Sequence, residues 1–148
     1  MSAVQFAPIP EVAPGVEDLA SLHNPKVREA VSGSAIRLFL KLAGLWGLSV
    51  DHRCILLGGI SKQTYHNWQN GKVGVLSRDQ LERVSLLLGV QKALKLIFTD
   101  DAASLRWLHS ENTDFPFAKG SPLDLASRGS VNDLYALRRY LDAWRGIK

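Results

Sequence analysis

Cysteine and long apolar runs are scarce in this sequence. Cys54 is the only cysteine among 148 residues, so no disulfide can form within the chain, and we interpret it as a small apolar core residue rather than a redox sensor. No cluster of Cys and His has the spacing of a structural zinc site, and this sparing use of cysteine is typical of a reducing compartment. The longest weakly polar run, residues 42–50, is about half of the roughly 20 residues that a membrane-spanning helix requires. The sequence therefore predicts neither a disulfide scaffold nor a metal site nor a membrane span.

Basic residues are absent from the first part of the chain. No Lys or Arg precedes Lys26, and Pro8 and Pro10 interrupt the region where a signal peptide has its apolar run. We therefore expect a cytoplasmic protein without a membrane partner. Residues 1–24 are rich in Pro and Ala and lack apolar periodicity, so we assign them no fixed structure and expect an N-terminal arm over residues 1–33.

Motifs of catalysis are also missing. The sequence contains no Gly-rich phosphate loop and no pairing of a nucleophile with a base at useful spacing. Its four histidines are scattered without a carboxylate partner, at His23, His52, His66 and His109. We therefore expect no enzymatic activity, and we expect neither a cofactor nor a catalytic metal.

Apolar side chains recur at helical spacing from Ser34 onward, and 46% of the residues are hydrophobic. Serine caps and glycine stops divide this pattern into helices, the first beginning at Ser34 and the fourth ending near Gly89. No alternation typical of strands competes with it. The sequence therefore predicts an all-α fold, with a helix-turn-helix domain over residues 34–98 and a small helical domain over residues 99–148.

A helix-turn-helix motif is predicted over residues 56–68. Gly59 supplies the residue that adopts positive φ in the turn, and a serine caps the helix that follows. We expect the apolar side chains of Ile60, Tyr65 and Trp68 to point inward and to hold this helix against its neighbours. The polar residues between them are then left to face solvent or a partner.

Six polar residues of this motif are candidates for DNA contact: Ser61, Lys62, Gln63, Thr64, His66 and Asn67. Gln and Asn bond adenine through two hydrogen bonds, Lys reaches guanine or phosphate, and the Thr methyl meets thymine. Five basic residues against one acidic residue give residues 34–76 a local charge of +4, which attracts a polyanion. Further candidates for phosphate contacts are Arg53, Lys41 and Lys72. The alternative is a Ser-capped amphipathic helix whose polar face is merely solvated.

The order of these motifs resembles a known family. Residues 61–71 resemble the recognition helix of Xre-type repressors. The C-terminal part is similar to the toxin-binding domain of Xre/MbcA/ParS-type antitoxins, on the residues Trp107-Leu108, Asn112, Ser121-Pro122-Leu123-Asp124-Leu125, Gly129, Leu137, Leu141 and Gly146. Together the two resemblances cover residues 34–148.

The resemblance implies a function that composition alone does not. Antitoxins of this type pair with toxins of the RES or ParT kind, which have an ADP-ribosyltransferase-like fold and act on NAD or transfer ADP-ribose from it. On that resemblance, the chain would bind and silence such a toxin, form a homodimer, and repress its own operon through the helix-turn-helix. The segment from Asn112 to Pro122, which contains Phe115 and Phe117, is longer than the family pattern, so its contacts cannot be transferred.

Six residues near the C-terminus are candidates for toxin binding: Arg138, Trp144, Arg145, Gly146, Ile147 and Lys148. A guanidinium and a terminal carboxylate suit the charged groups of an NAD pocket, and Trp144 suits an anchor because it buries a large aromatic area. The alternative is that Trp144 completes the apolar stripe of the last helix, that the tail frays, and that Arg138 is a solvated charge. The two phenylalanines of the preceding loop either tuck into the core or offer an exposed contact.

Two functional hypotheses follow from these features. The first is a DNA-binding antitoxin of a type II toxin–antitoxin system that represses its own operon. The alternative is a stand-alone helix-turn-helix transcriptional regulator whose C-terminal domain dimerises or senses a ligand. A toxin gene beside the chain's own gene favours the first hypothesis, and a solitary gene favours the second.

Overall fold

The computed structural model describes residues 19–146. Within that range a short 3-10 helix, Leu19–His23, precedes seven α-helices. These are α1 (Pro25–Trp46), α2 (Val50–Leu56), α3 (Lys62–Gln69), α4 (Arg78–Ile97), α5 (Asp101–His109), α6 (Pro122–Ala126) and α7 (Val131–Trp144). The described residues contain no β-strand, which confirms the all-α fold class.

The first long helix begins earlier than the apolar pattern indicates. α1 starts at Pro25, because the Asn24 side chain accepts a hydrogen bond at 2.9 Å from the backbone N–H two residues further on, and proline suits the first turn. The expectation that this helix begins at Ser34 is wrong, because the buried Ser32 interrupts the apolar stripe of α1 and the helix continues on its N-terminal side. The first part of the expected arm, residues 1–18, lies outside the described residues.

A buried serine ties α1 to the segment that precedes α4. The Ser32 hydroxyl accepts a hydrogen bond from the backbone N–H of Leu76 at 2.9 Å and donates one to the carbonyl of Arg28 at 2.6 Å. Ser32 and Leu76 are both buried, so water does not replace this bond. Ser32, which interrupts the apolar pattern of α1, therefore holds this helix to the segment before α4.

We expect Ser32→Ala to lower the free energy of unfolding by about 1–3 kcal/mol, because the substitution leaves the buried N–H of Leu76 without its acceptor. Chemical denaturation followed by circular dichroism measures the change. Ser34→Ala is the matched control, since the Ser34 hydroxyl accepts an exposed hydrogen bond, from Arg37. Equal effects of the two substitutions would contradict this role for Ser32.

α4 runs through Gly89 to Ile97, so the expected helix stop at Gly89 is wrong. Leu88 and Val90 are buried on either side of it, and a glycine inside a helix costs about 1 kcal/mol relative to alanine, which such packing offsets. A Cβ at Gly89 would overlap the guanidinium of Arg138 from α7. Gly89 therefore marks a close approach between α4 and a side chain of α7 rather than the end of a helix.

The described residues form two compact units, residues 19–88 and residues 89–146. In the first unit the largest fully buried side chains include Phe39, Trp46, Leu56, Tyr65 and Leu81. In the second unit α6 contacts both α5 and α7, and the buried side chains include Leu108, Phe117, Leu134, Leu137 and Leu141. Each unit thus has a core of its own.

Residues 19–146 contain neither a membrane-spanning helix nor a metal-binding cluster. None of the helices there is both long and apolar enough to cross a membrane. The same residues hold no group of three or more His, Cys, Asp or Glu side chains placed to bind a metal ion.

Candidate functional site

The turn between α2 and α3 has the geometry that the sequence predicts. Gly58 and Gly59 both adopt left-handed φ values, 98° and 81°, which glycine reaches at little cost. The backbone N–H groups of Gly59 and Ile60 both donate to the carbonyl oxygen of Cys54, at 2.9 and 3.2 Å. Ser61 then caps α3 by accepting the Thr64 N–H at 3.0 Å. The turn and the cap together fix the direction in which α3 leaves α2.

The inner face of α3 is held by two aromatic side chains and one arginine. Tyr65 and Trp68 are buried as predicted, whereas Ile60 is half-buried. The Arg53 guanidinium donates from Nη1 to the Tyr65 hydroxyl at 2.8 Å and from Nε to the Leu48 carbonyl at 3.0 Å. Arg53 therefore connects α2 to α3 through two of its five N–H donors, and its role as a phosphate contact stays a prediction.

The outer face of α3 carries the six predicted DNA-contact residues. Four are exposed (Ser61, Lys62, Gln63 and His66), and two are half-buried (Thr64 and Asn67). The Gln63 side chain donates from Nε2 to Oδ1 of Asn67 at 3.1 Å. This bond orients both amides, while Gln63 Oε1 still offers an acceptor and Asn67 Nδ2 a donor to a base edge. The structure thus brings the two predicted adenine readers together on one side of the helix.

Lys62 has a partner that the sequence does not suggest. Its Nζ lies 3.2 Å from Oδ1 of Asp51, the first-turn carboxylate of α2. Both side chains are largely exposed, so the pair contributes no more than about 1 kcal/mol and yields readily to a phosphate. Asp51 is the one acid in the basic segment of residues 34–76, and it sits beside the proposed contact surface.

The thiol of Cys54 lies beneath the turn, and its chemistry follows from burial. Burial raises the pKa of the Cys54 thiol, the nearby carboxylate of Asp51 raises it further, and Lys62 lowers it. The thiolate is the nucleophilic form of cysteine, so a raised pKa leaves less of that form at a given pH. This environment agrees with the interpretation of Cys54 as a core residue.

We therefore expect Cys54 in the native chain to resist alkylation by iodoacetamide at mildly alkaline pH, and to react once urea unfolds the chain. In the unfolded chain the thiol regains its ordinary pKa, so the thiolate fraction rises at the same pH. Mass spectrometry after timed quenching gives the two rates. Comparable rates in the native and unfolded chains would contradict a buried, unreactive thiol.

An apolar cleft opens on the second unit. Its volume is about 140 Å³, and its lining residues come from the end of α4, from α5 and from α7: Ile97, Phe98, Trp107, Tyr140, Leu141 and Trp144. We call it the aromatic cleft. Trp107 stacks on Tyr140 with ring centroids 6.0 Å apart, and Tyr140 contacts Trp144 at 6.4 Å. The cleft is therefore lined by aromatic rings that contact one another, of which Trp107 and Tyr140 are stacked.

The spacing of Trp144 predicts that it lies on the buried apolar stripe of α7, but its side chain is exposed. Leu134, Leu137 and Leu141 are buried, whereas Trp144 is 63% exposed at the end of α7. The idea that Trp144 merely completes the buried stripe is therefore wrong. An indole with most of its area in water beside an apolar cleft is a surface that a partner would cover.

The two arginines predicted to contact the toxin share one carboxylate. Nε of Arg138 lies 3.2 Å from Oδ1 of Asp142, and Nη1 of Arg145 lies 3.5 Å from the same oxygen. Gly146 is exposed and has a left-handed φ of 73°. Ile147 and Lys148, the last two predicted residues, lie outside the described residues. Asp142 thus gathers both guanidinium groups at the end of α7.

The two phenylalanines of the 110–120 loop take opposite positions, which resolves the alternatives left open by the sequence. Phe117 is fully buried, and its ring lies 4.8 Å from the ring of Tyr140. Phe115 is 93% exposed. One phenylalanine is therefore a core anchor, and the other is exposed to solvent.

Sequence reasoning missed two carboxylates that shape these surfaces, Asp142 and Asp114. Asp142 follows Arg138 at the i,i+4 spacing of helical ion pairs, so that pairing was detectable. Asp114 accepts a hydrogen bond at 2.8 Å from the hydroxyl of Tyr140, which lies 26 positions away along the chain. No local pattern signals a contact across such a distance.

Comparisons with known proteins agree with this division of the chain. A family model described as the antitoxin Xre-like helix-turn-helix domain matches residues 25–89. A second model, the antitoxin Xre/MbcA/ParS C-terminal toxin-binding domain, matches residues 93–146. A curated relative from Sinorhizobium fredii (strain NBRC 101917 / NGR234), described as "Uncharacterized protein y4oB", is 36% identical over 123 residues, which are 83% of this chain and 93% of that protein. No solved structure matches the chain significantly.

The helix-turn-helix and the helical domain that follows it define a DNA-binding regulator with a protein partner. The chain belongs to the Xre/MbcA/ParS antitoxin family. It is an antitoxin of a toxin–antitoxin system, with one domain for DNA and one for a toxin. This confirms the expected antitoxin class, and the two domains are those of a regulator.

Proposed function

We propose that this antitoxin neutralises a toxin of the RES or ParT kind, which consumes NAD or transfers ADP-ribose, and that it represses its own operon as a homodimer in the cytoplasm. One observation carries the proposal. The domain matched by the toxin-binding model presents an exposed tryptophan over an apolar cleft, next to two guanidinium groups held by one carboxylate.

The chemistry of the α7 end supports a toxin whose pocket holds a phosphate-bearing nucleotide. Arginine forms bidentate hydrogen bonds with phosphate and carboxylate groups. Arg138 and Arg145 both pair with the carboxylate of Asp142. Trp144 adds a large apolar area that becomes buried when a partner covers the aromatic cleft. We propose that this group, continued by Ile147 and Lys148, closes the NAD pocket of the toxin.

The outer face of α3 supports operator binding. The Gln63 and Asn67 amides are already aligned by their mutual hydrogen bond, so a base meets them at a small loss of side-chain freedom. Ser61 and Lys62 stand at the start of the same helix, where phosphate contacts position a recognition helix. We propose Ser61, Lys62, Gln63, Thr64, His66 and Asn67 as the DNA-contact set.

The alternative is a stand-alone regulator whose C-terminal domain dimerises or senses a ligand, and the size of the aromatic cleft disfavours its ligand-sensing form. Small-molecule sites occupy about 300 to 1,000 Å³. The aromatic cleft has about 140 Å³ and lies open at an exposed tryptophan. A cleft of that volume suits one or two side chains of a protein partner better than a whole ligand.

Reconstitution with the product of the neighbouring toxin gene tests the proposal. The toxin alone should consume NAD, and an equimolar amount of the full chain should stop this reaction and co-elute with the toxin in size-exclusion chromatography. Light scattering of the chain alone and with its operator gives the oligomeric state. A toxin that leaves NAD intact would contradict the proposed toxin class, and the absence of a complex would contradict neutralisation itself.

A further inference from the structure

The tip of the 110–120 loop exposes a large apolar side chain. Phe115 is 93% exposed, which makes it the most exposed of the large apolar side chains among residues 19–146. A single exposed apolar side chain is common on folded domains, so exposure alone does not mark a contact. The feature that distinguishes Phe115 is the loop that presents it.

Hydrogen bonds hold this loop in one shape. The Asn112 N–H donates to the Gly120 carbonyl at 2.9 Å, and the Lys119 N–H donates to the Asn112 carbonyl at 3.1 Å, so the two ends of the loop are joined. The Phe117 N–H donates to the carbonyl of Asp114 at 2.8 Å across the tip. The Phe115 side chain therefore stands on a closed frame.

Two anchors fix that frame to the rest of the unit. The Phe117 ring is buried against Trp107 and Tyr140, with ring centroids 5.8 and 4.8 Å apart. The Tyr140 hydroxyl donates a hydrogen bond to Oδ2 of Asp114, the residue just before Phe115. Both anchors involve Tyr140, so the position of Phe115 is set by a residue of α7.

Tyr140 also lines the aromatic cleft. The Phe115 loop and the cleft thus share Tyr140, and both lie within the residues matched by the toxin-binding model. A partner that covers the cleft therefore contacts the residue that holds the loop. This continuity identifies the partner of the loop as the toxin rather than an unrelated protein.

We propose that Phe115 is a second anchor for the toxin, inserted into an apolar recess on the toxin outside its NAD pocket. This inference rests on the proposed neutralisation of a toxin by residues 93–146. The ring is presented on a preorganised loop, so binding it immobilises few additional groups, and aromatic anchors of this type dominate interface affinity. Asp114 is a positioning residue, because it acts on Phe115 through the loop.

The test measures the affinity of the full chain for the purified product of the neighbouring toxin gene by calorimetry. Phe115→Ala should weaken binding about tenfold to a hundredfold, whereas Phe115→Leu, which keeps an apolar side chain, should weaken it about threefold or less. Val75→Ala, a substitution of another exposed apolar residue in the other unit, is the control and should leave affinity unchanged. Melting temperatures should coincide for all these variants, because neither residue is buried.

A second pair of variants tests the positioning role of Asp114. Asp114→Ala should weaken toxin binding severalfold and increase hydrogen exchange of residues 112–120, because the bond from Tyr140 is lost. Asp114→Asn should restore both readouts, since its amide oxygen still accepts the hydroxyl. A loss of affinity in Asp114→Asn as large as that in Asp114→Ala would contradict positioning through this bond.

Three results would overturn or redirect the inference. Unchanged affinity of Phe115→Ala, with wild-type chain binding normally, rejects Phe115 as an anchor and leaves the proposed function intact. A change of oligomeric state in Phe115→Ala assigns the ring to a contact between copies of the chain and likewise rejects it. Failure of the wild-type chain to bind the toxin rejects the proposed function itself.

Discussion

Alanine at both Gln63 and Asn67 is expected to weaken operator binding by about 1–3 kcal/mol for each bidentate base contact that is lost, and to leave toxin binding unchanged. Gln63 is exposed and Asn67 half-buried on α3, so neither substitution removes a core side chain. The two single effects should not add, because the amides bond to each other at 3.1 Å and loss of either one frees its partner. Electrophoretic mobility shifts at fixed salt, over both single variants and the double variant, measure the coupling.

Gln69→Ala is the matched control for this experiment. Gln69 is an exposed amide at the end of the same helix and lies outside the proposed contact set. It should leave operator affinity within a few tenths of a kcal/mol of the wild-type value. If the double variant lost toxin binding together with DNA binding, Gln63 and Asn67 would be folding residues rather than base readers.

Removal of residues 145–148 is expected to impair toxin neutralisation by tenfold or more and to preserve the fold. The deletion removes the Arg145 guanidinium that Asp142 holds, while the buried stripe of Leu134, Leu137 and Leu141 remains. Trp144→Ala should have an effect of similar size, because the lost indole area is the largest exposed apolar area at the aromatic cleft. The readout is the antitoxin concentration that halves NAD consumption by the toxin.

Arg128→Ala controls for the loss of an exposed positive charge from the same unit. It should neutralise the toxin as well as the wild-type chain does, and the melting temperatures of all three variants should stay close to that of the wild type. Full neutralisation by the truncated chain would remove the tail from the mechanism and confine toxin binding to the aromatic cleft and the loop.

The parts of the fold that were predictable from sequence are those with local chemical signals. The α2–α3 turn follows from Gly59 and from the cap at Ser61, and the burial of Tyr65 and Trp68 follows from their spacing. Local rules failed where a tertiary contact overrides them. Gly89 is a helix stop by propensity, yet the packing around it carries α4 onward to Ile97.

In the candidate site, too, features set by local sequence patterns were predictable and features set by tertiary contacts were not. Helical periodicity indicates which positions of α3 face outward, and the six proposed DNA contacts occupy positions outside the core as it predicts. The opposite burial of Phe115 and Phe117 was not predictable from the sequence. An irregular loop has no period, and its shape depends on hydrogen bonds that form on folding. The bond between Tyr140 and Asp114 lies beyond any rule of sequence spacing.

The ion pair of Lys62 with Asp51 has a consequence for how operator binding responds to salt. When a lysine neutralises a phosphate, cations condensed on the duplex are released into the solvent, and their entropy of mixing favours binding. Added salt reduces this entropy gain and so weakens binding. In the proposed complex Lys62 leaves Asp51 for a phosphate, and the free Asp51 carboxylate then attracts a cation. We therefore expect the slope of operator affinity against salt concentration to be shallower than a count of the lysines and arginines at the surface implies.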